Sequence, residues 1–274
     1  MTTTQITGPD GTRLSVTSAG DPSLPPLLFL HGWAQWSGCW ADAMSRLSDR
    51  FHCIAPDLRG HGGSDAPSGT APYTDTALWG GDVQAVIDHF GLTRPTLVGW
   101  SYGARVIAAH LATQGSGHLG GIVLVGGILA IGAAREDWMV GPDSPGLARD
   151  LYTEDLARRL TATAAFTEAC TATPLPRQDL ARAVGASMLC PAHVRRALFG
   201  ADLDLRPALA TATCPALVIH GTADTVVLPA CGAAAAQAIP GATHLAYDGA
   251  GHAPFLDAPD RFAADIAAFA GGAA

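Results

Sequence analysis

Three residues of this chain could do nucleophilic chemistry together: Ser101, Asp224 and His252. Ser101 stands in "LVGWSYGARV", with Gly99 and Gly103 two positions away on either side. A serine hydroxyl is a weak nucleophile. It needs a neighbouring base, and the base needs an acid to orient it. His252, in "YDGAGHAPF", is the candidate base, and Asp224, in "LVIHGTADTVV", is the candidate acid. Serine, then acid, then histidine is one of the chain orders in which this constellation occurs. Asp248 competes for the role of acid but sits only four residues before His252. His31, His61 and His220 each precede a glycine and do not fit the order. His31 is expected to brace its loop, not to take protons.

The elements around these residues must bring them together. "PTLVGW" reads as a buried strand and "YGARVIAAHLAT" as a helix, so Ser101 lies on a sharp strand-to-helix reversal. Glycines two residues away on each side let strand and helix approach closely. The helix starting at Tyr102 aims its free N–H groups and positive end at the site, which favours an oxyanion. The backbone N–H of Tyr102 is one expected oxyanion donor, and that of Trp33, in "LFLHGWAQ", is the other. Asp224 and His252 each fall in a loop after a predicted strand, on the same sheet edge as Ser101.

Around that centre the chain alternates. "TTTQIT" and "RLSVTSAG" flank a Pro-Asp-Gly turn and predict a hairpin. "PLLFLHG", "FHCIAPD", "PTLVGW" and "GGIVLVGG" predict strands. "TDTALWGGDVQAVIDHFG" predicts a helix, and so does the Trp-rich segment from Trp36 to Leu47. Strands alternating with helices imply parallel β-α-β units. From residue 128 to 211 the rhythm stops. "LYTEDLARRLTATAAFTEACT", "RQDLARAVGASMLC" and "PAHVRRALFG" read as helices, and no apolar strand run is visible. Strand and helix then resume through "CPALVIHG", "PACGAAAAQAIPG", "THLAYDG" and "DRFAADIAAFA". The division expected is a core of residues 1–127 and 212–274 with a helical insertion, 128–211, over the carboxyl ends of the strands, where open α/β sheets bind ligands.

Composition narrows the chemistry. The 274 residues are 48% hydrophobic and 15% charged, enough for a large core. The net charge of −8 and the absence of any long basic run exclude nucleic acid as an expected partner. All sixteen basic residues are arginine, which rules out a phosphate-loop lysine, a Schiff base and a lysine base. The six cysteines form no C-x-x-C pair and read as buried thiols. The polar N-terminus carries no signal-peptide pattern. The most apolar stretch, 120–134, is too short and glycine-rich to span a bilayer easily. No membrane partner and a cytoplasmic site are expected. Trp33, Trp36 and Tyr102 are the candidate residues of an apolar substrate pocket, while Trp100 is expected to pack inward. The insertion holds more than half the arginines, including Arg158-Arg159 and Arg195-Arg196, read as solvated helix faces or as a dock for a carboxylate substrate or an acidic acyl-carrier protein.

"LHGWAQ", "DLRGHGGSD", "VGWSYGA", "HGTADTVV" and "GAGHAPF" occur in the order and context of the α/β-hydrolase superfamily, which this chain resembles over nearly its whole length outside the insertion. It is similar in particular to the branch of cofactor-free haloperoxidase/perhydrolase-type carboxylesterases. That resemblance implies an eight-stranded, mostly parallel sheet flanked by helices, a helical cap, and a Ser101–His252–Asp224 triad. It implies a serine esterase acting on a small-molecule ester through an acyl-enzyme, with no metal or organic cofactor, and with peroxide able to replace water. "DLRGHGGSD" is a structural loop in that family, so Asp57, Arg59 and His61 are expected to brace. Haloalkane dehalogenases and epoxide hydrolases share other motifs but carry Asp where this chain has Ser101, so an alkyl-enzyme is not expected. Lactonases, C–C bond hydrolases, acyltransferases and carrier-linked methyl ester esterases use the same triad, and non-catalytic receptors use the same fold.

Overall fold

The computed structural model describes residues 1–272. The chain opens with the predicted hairpin. β1 (Thr2–Thr7) and β2 (Arg13–Ala19) pair antiparallel around a turn that needs Gly11 at φ 86°. β3 (Pro26–Leu30) follows. The Trp-rich segment, expected as one helix, divides into a 3₁₀ turn (Ser37–Trp40) and α1 (Ala41–Leu47). The cause is tertiary: the Ser37 N–H donates at 2.7 Å to Oδ1 of Asp57, in the loop after the next strand, which fixes the chain's entry into the turn. Then come β4 (His52–Pro56), α2 (Thr76–Phe90), β5 (Thr96–Trp100), α3 (Tyr102–Gln114) and β6 (Gly121–Val125). The Asp75 side chain caps α2 by accepting from the Ala77 N–H, and Gly91 ends it in the left-handed conformation.

The insertion is helical but not free of strand. β7 (Ala130–Ile131) precedes α4 (Leu156–Ala169), α5 (Arg177–Met188) and α6 (Ala192–Ala197), and β8 (Leu203–Asp204) precedes α7 (Arg206–Leu209). β7 and β8 form a two-residue antiparallel pair where no strand was expected. Two residues are too few for any hydrophobic period to register. The chain closes with β9 (Ala216–Gly221), α8 (Ala230–Ala238), β10 (Thr243–Tyr247), α9 (Pro254–Asp257) and α10 (Pro259–Gly271).

The main sheet has eight strands in the order β1-β2-β4-β3-β5-β6-β9-β10. β1, β2 and β4 pair antiparallel, and every other pairing is parallel. β4, β5, β6 and β9 are buried throughout, which explains why they read as continuous apolar runs without alternation. Helices cover the sheet in separate layers, α2 packing on α3 and α1 on α10. No helix of the described residues is long and apolar enough to cross a membrane.

Two buried arginines hold loops to this frame. Arg59, after β4, makes a bidentate pair with Asp82 of α2 at 2.7 Å per bond and also reaches Asp10 in the β1–β2 turn. Arg195 of α6 is fully buried inside the insertion. Its guanidinium donates to the carbonyls of Cys190, Leu151 and Ser187 and to the hydroxyls of Thr163 and Ser187. It is therefore neither a solvated helix face nor an exposed dock. Arg158 is exposed and pairs with Asp150 at 2.5 Å. Arg195→Met should strip these buried oxygens of their donors and cost about 3 kcal/mol or more in unfolding free energy. Arg158→Met should stay within about 0.5 kcal/mol. Urea unfolding of the two variants measures the contrast.

Candidate functional site

Ser101 occupies the reversal between β5 and α3 at φ 53°, ψ −106°, a conformation that an L-residue adopts only under constraint. Its N–H donates to the Val125 carbonyl of β6 at 2.8 Å, which locks the turn to the sheet. The flanking glycines are required by space. A Cβ on Gly103 would lie 2.2 Å from the Leu30 carbonyl oxygen, and one on Gly99 would lie 2.6 Å from the Gly103 backbone. The Ser101 hydroxyl does not cap its helix and has no protein hydrogen bond among the described residues.

Asp224 lies in the loop after β9, and His252 in the loop between β10 and α9. Both are buried. His252 Nδ1 is 2.8 Å from Asp224 Oδ2, and Oδ1 accepts the N–H groups of Val226 and Val227 at 2.9 Å each. The Nδ1–H proton thus faces the carboxylate and leaves Nε2 free as a base. Burial pushes the Asp224 carboxyl up. The attraction of His252 and hydrogen bonds from His220 and His252 outweigh it, and the carboxyl sits well below the usual carboxylate range. Asp248, the competing acid, is exposed and takes the Thr222 hydroxyl at 3.3 Å, away from His252.

His220, set aside on sequence grounds, belongs to this network. Its Nε2 donates to the Val227 carbonyl at 3.0 Å and lies 3.1 Å from Asp224 Oδ2. The signal available in the sequence was its place four residues before Asp224, at the end of the same strand. His220 contacts the same carboxylate oxygen as His252 and does not line the cavity.

The backbone N–H groups of Trp33 and Tyr102 make no hydrogen bond to another described residue. Tyr102 is the first residue of α3, so its N–H is one of the helix's orphan donors. Two histidines hold the Trp33 loop. His31 Nε2 accepts the Leu58 N–H at 2.9 Å, and His61 Nε2 accepts the Ala34 N–H at 3.2 Å. Their Nδ1 atoms face the carbonyls of Gly32 and Arg59. Accepting an N–H requires neutral rings, and burial lowers His31 to about 4 and, with the nearby His31 adding, His61 to about 3. Asp57 closes the same loop by accepting the Gly63 N–H at 2.8 Å.

A cavity of about 220 Å³ opens over Ser101 and His252, lined by Trp33, Trp100, Arg105, Phe166 and Phe199 among others. Of the three candidate pocket residues, only Trp33 reaches it. The Tyr102 ring is buried against His61 and Trp79, because the first turn of α3 points its side chain into the core. Trp36 lines a separate groove beside α1 and α5. Trp100 packs on Phe255, its Nε1–H donates to the His252 carbonyl, and it lines the cavity as well. Phe166 and Phe199 come from the insertion, which carried no motif to reveal them. All six cysteines are unbonded, and five are buried. No cluster of described residues could hold a metal ion.

The alpha/beta hydrolase fold family matches this chain over residues 25–259. The chain is 34% identical over 251 residues to the pimeloyl-[acyl-carrier protein] methyl ester esterase of Nitrosomonas europaea, covering 87% of this chain and 92% of that protein. Among solved structures it is similar to the esterase RhEst1 of a Rhodococcus species, with TM-score 0.93, 36% identity and complete coverage of both chains. It is also similar to the esterase EaEST of Exiguobacterium antarcticum, with TM-score 0.84, 26% identity, and 98% and 99% coverage.

Asp224→Asn should lower turnover by about 10³–10⁴ by giving His252 the wrong tautomer. His220→Ala, which removes one charge-assisted bond from the carboxylate, should lower it by roughly tenfold. Steady-state rates on one ester compare the two. A second expectation concerns acid. Below about pH 6.5 the unfolded chain protonates His31 and His61, whereas the folded chain does not until about 4 and about 3. Stability should therefore fall with pH across that window, by about 1.4 kcal/mol per pH unit for each histidine. His61→Gln keeps an acceptor for the Ala34 N–H without a titrating ring, and should flatten the slope in unfolding measured from pH 7 to 5.

Proposed function

This chain belongs to the alpha/beta hydrolase fold family, and from that premise we propose that it cleaves small carboxylic esters through an acyl-enzyme on Ser101. One observation carries the reading. A strained, uncapped serine shares a cavity with a histidine whose far nitrogen is held by a buried carboxylate. His252 Nε2 takes the Ser101 Oγ proton as the oxygen attacks the ester carbonyl. The new oxyanion accepts the unpaired N–H groups of Trp33 and Tyr102, with the positive end of α3 behind them. His252 passes its proton to the leaving alcohol. Water, deprotonated by the same nitrogen, then releases the acid and restores Ser101. A serine oxygen transfers acyl groups, so the alkyl-enzyme route of relatives with Asp at this position is closed.

Residues 128–211 act as the cap of this site, since they supply Phe166 and Phe199 to its wall. The cavity is below the roughly 300–1,000 Å³ of drug-sized ligand sites, which supports a short acyl or alcohol part. The unbonded thiols suit a reducing, cytoplasmic setting. A carrier-linked methyl ester is the second reading, supported by likeness to the Nitrosomonas europaea esterase. Against it, Arg158, Arg182, Arg196 and Arg206 of the cap are already paired with acidic neighbours inside the cap.

A fluorophosphonate probe should label the wild-type chain and not Ser101→Ala. The variant should lose at least about 10³-fold in hydrolysis of 4-nitrophenyl butyrate. Equal hydrolysis by pure Ser101→Ala would overturn the assignment.

A further inference from the structure

Arg105 lies one helical turn beyond Ser101 on the same face of α3 and lines the same cavity, yet it is 5% exposed. A guanidinium carries five N–H donors. Arg105 uses one of them, from Nη1 to the Leu198 carbonyl at 3.3 Å. Its Nε is sealed from solvent without a partner, and no carboxylate among the described residues lies within ion-pair distance. Its remaining neighbours are the ring faces of Tyr102 and Phe199, at 5.8 and 5.5 Å.

Arg195 shows how this chain satisfies a buried guanidinium whose role is structural, for oxygens of four residues surround it. Arg105 is left short of that by the protein alone. Burial lowers its pKa to about 10, so it stays charged at neutral pH. A buried cation without a counter-ion is costly. On the cavity wall stands a second such group, the half-buried Arg135, whose Nε is likewise sealed and unpartnered. Two guanidiniums thus face one small cavity that supplies no anion of its own.

We propose that Arg105 and Arg135 form a carboxylate subsite, and that the natural substrate is a short ester bearing a free carboxylate. The carboxylate would share one small cavity with the reacting carbonyl, which calls for a short spacer between them. A half-ester of a short dicarboxylic acid places it on the acyl side, and an ester of a hydroxycarboxylic acid places it on the alcohol side. A bidentate Arg–carboxylate pair would complete the fork that the protein leaves open. This rests on the ester-hydrolase reading above and adds the substrate's charge to it.

The test compares each carboxylate ester with its primary-amide isostere. Monoethyl glutarate against its amide, followed by ethanol release, probes the acyl side. 4-Acetoxybenzoate against 4-acetoxybenzamide, followed by phenol absorbance, probes the alcohol side. On one side, wild-type kcat/KM should favour the carboxylate by tenfold or more. That ratio should fall at least tenfold in Arg105→Met and at least threefold in Arg135→Met, mainly through KM. Should Arg105→Met fail to fold, Arg135→Met and inhibition of 4-nitrophenyl butyrate hydrolysis by glutarate, at least tenfold tighter than by glutaramide, decide the matter. A ratio near one on both sides, or ratios unmoved in both variants, would overturn the subsite while butyrate turnover leaves the esterase intact. No turnover of 4-nitrophenyl butyrate would instead remove the esterase reading, and glutarate binding by calorimetry, lost in Arg135→Met, would still decide the subsite.

Discussion

The site depends on one backbone reversal. Ser101 can stand at φ 53° only because β5 and α3 are held on either side of it and because no side chain intrudes at Gly99 or Gly103. The contact of Gly103 with the Leu30 carbonyl brings the start of α3 against the end of β3, and so sets the Trp33 loop beside the helix's free N–H groups. The strain at Ser101 is sustained by that packing, since a serine released from it would relax to an ordinary conformation. The same turn leaves the hydroxyl uncapped and facing a cavity.

Around that turn, buried polar groups are placed by whether they are satisfied. His31 and His61 are neutral because each must accept a backbone N–H, and their service is to tie the loop that carries Trp33 to the loop after β4. Arg59 and Arg195 are saturated by carboxylates or by neutral oxygens, and each joins segments far apart in the chain. Asp224 is saturated as well, by two backbone N–H groups and two histidines. Arg105, one helical turn from Ser101, breaks the pattern. Where a folded chain leaves charged groups open among many that are closed, the open ones, here Arg105 and Arg135, are where a ligand has the most to contribute.

The alternation of apolar runs and helical segments was enough to read the parallel sheet and the helical insertion, because strands buried on both faces leave continuous apolar runs. The motif loops were legible for a similar reason: a tight strand-to-helix turn restricts the residues it can contain. The insertion hid its contents. Phe166 and Phe199 carry no motif, and only packing turns them, like Arg105 of α3, toward the cavity. Trp36 and Tyr102 failed as pocket residues for the converse reason. Nearness in sequence to a key loop does not fix the direction of a side chain, and the first turn of α3 sends the Tyr102 ring into the core while its N–H faces outward.

By itself, then, the sequence determined the kind of fold and the residue types able to do acyl chemistry, since both follow from local pattern: hydrophobic period, glycine placement and the order of serine, acid and histidine. Tertiary structure decided what depends on distance across the chain. It placed His220 and His252 against the same oxygen of Asp224, buried that carboxylate while Asp248 stayed in solvent, and turned Phe166 and Phe199 toward the cavity. It also decided which arginines find an acidic partner among the described residues and which, Arg105 and Arg135 included, do not. Charge in a sequence is only a count; whether it is compensated depends on which oxygens folding brings within hydrogen-bond reach.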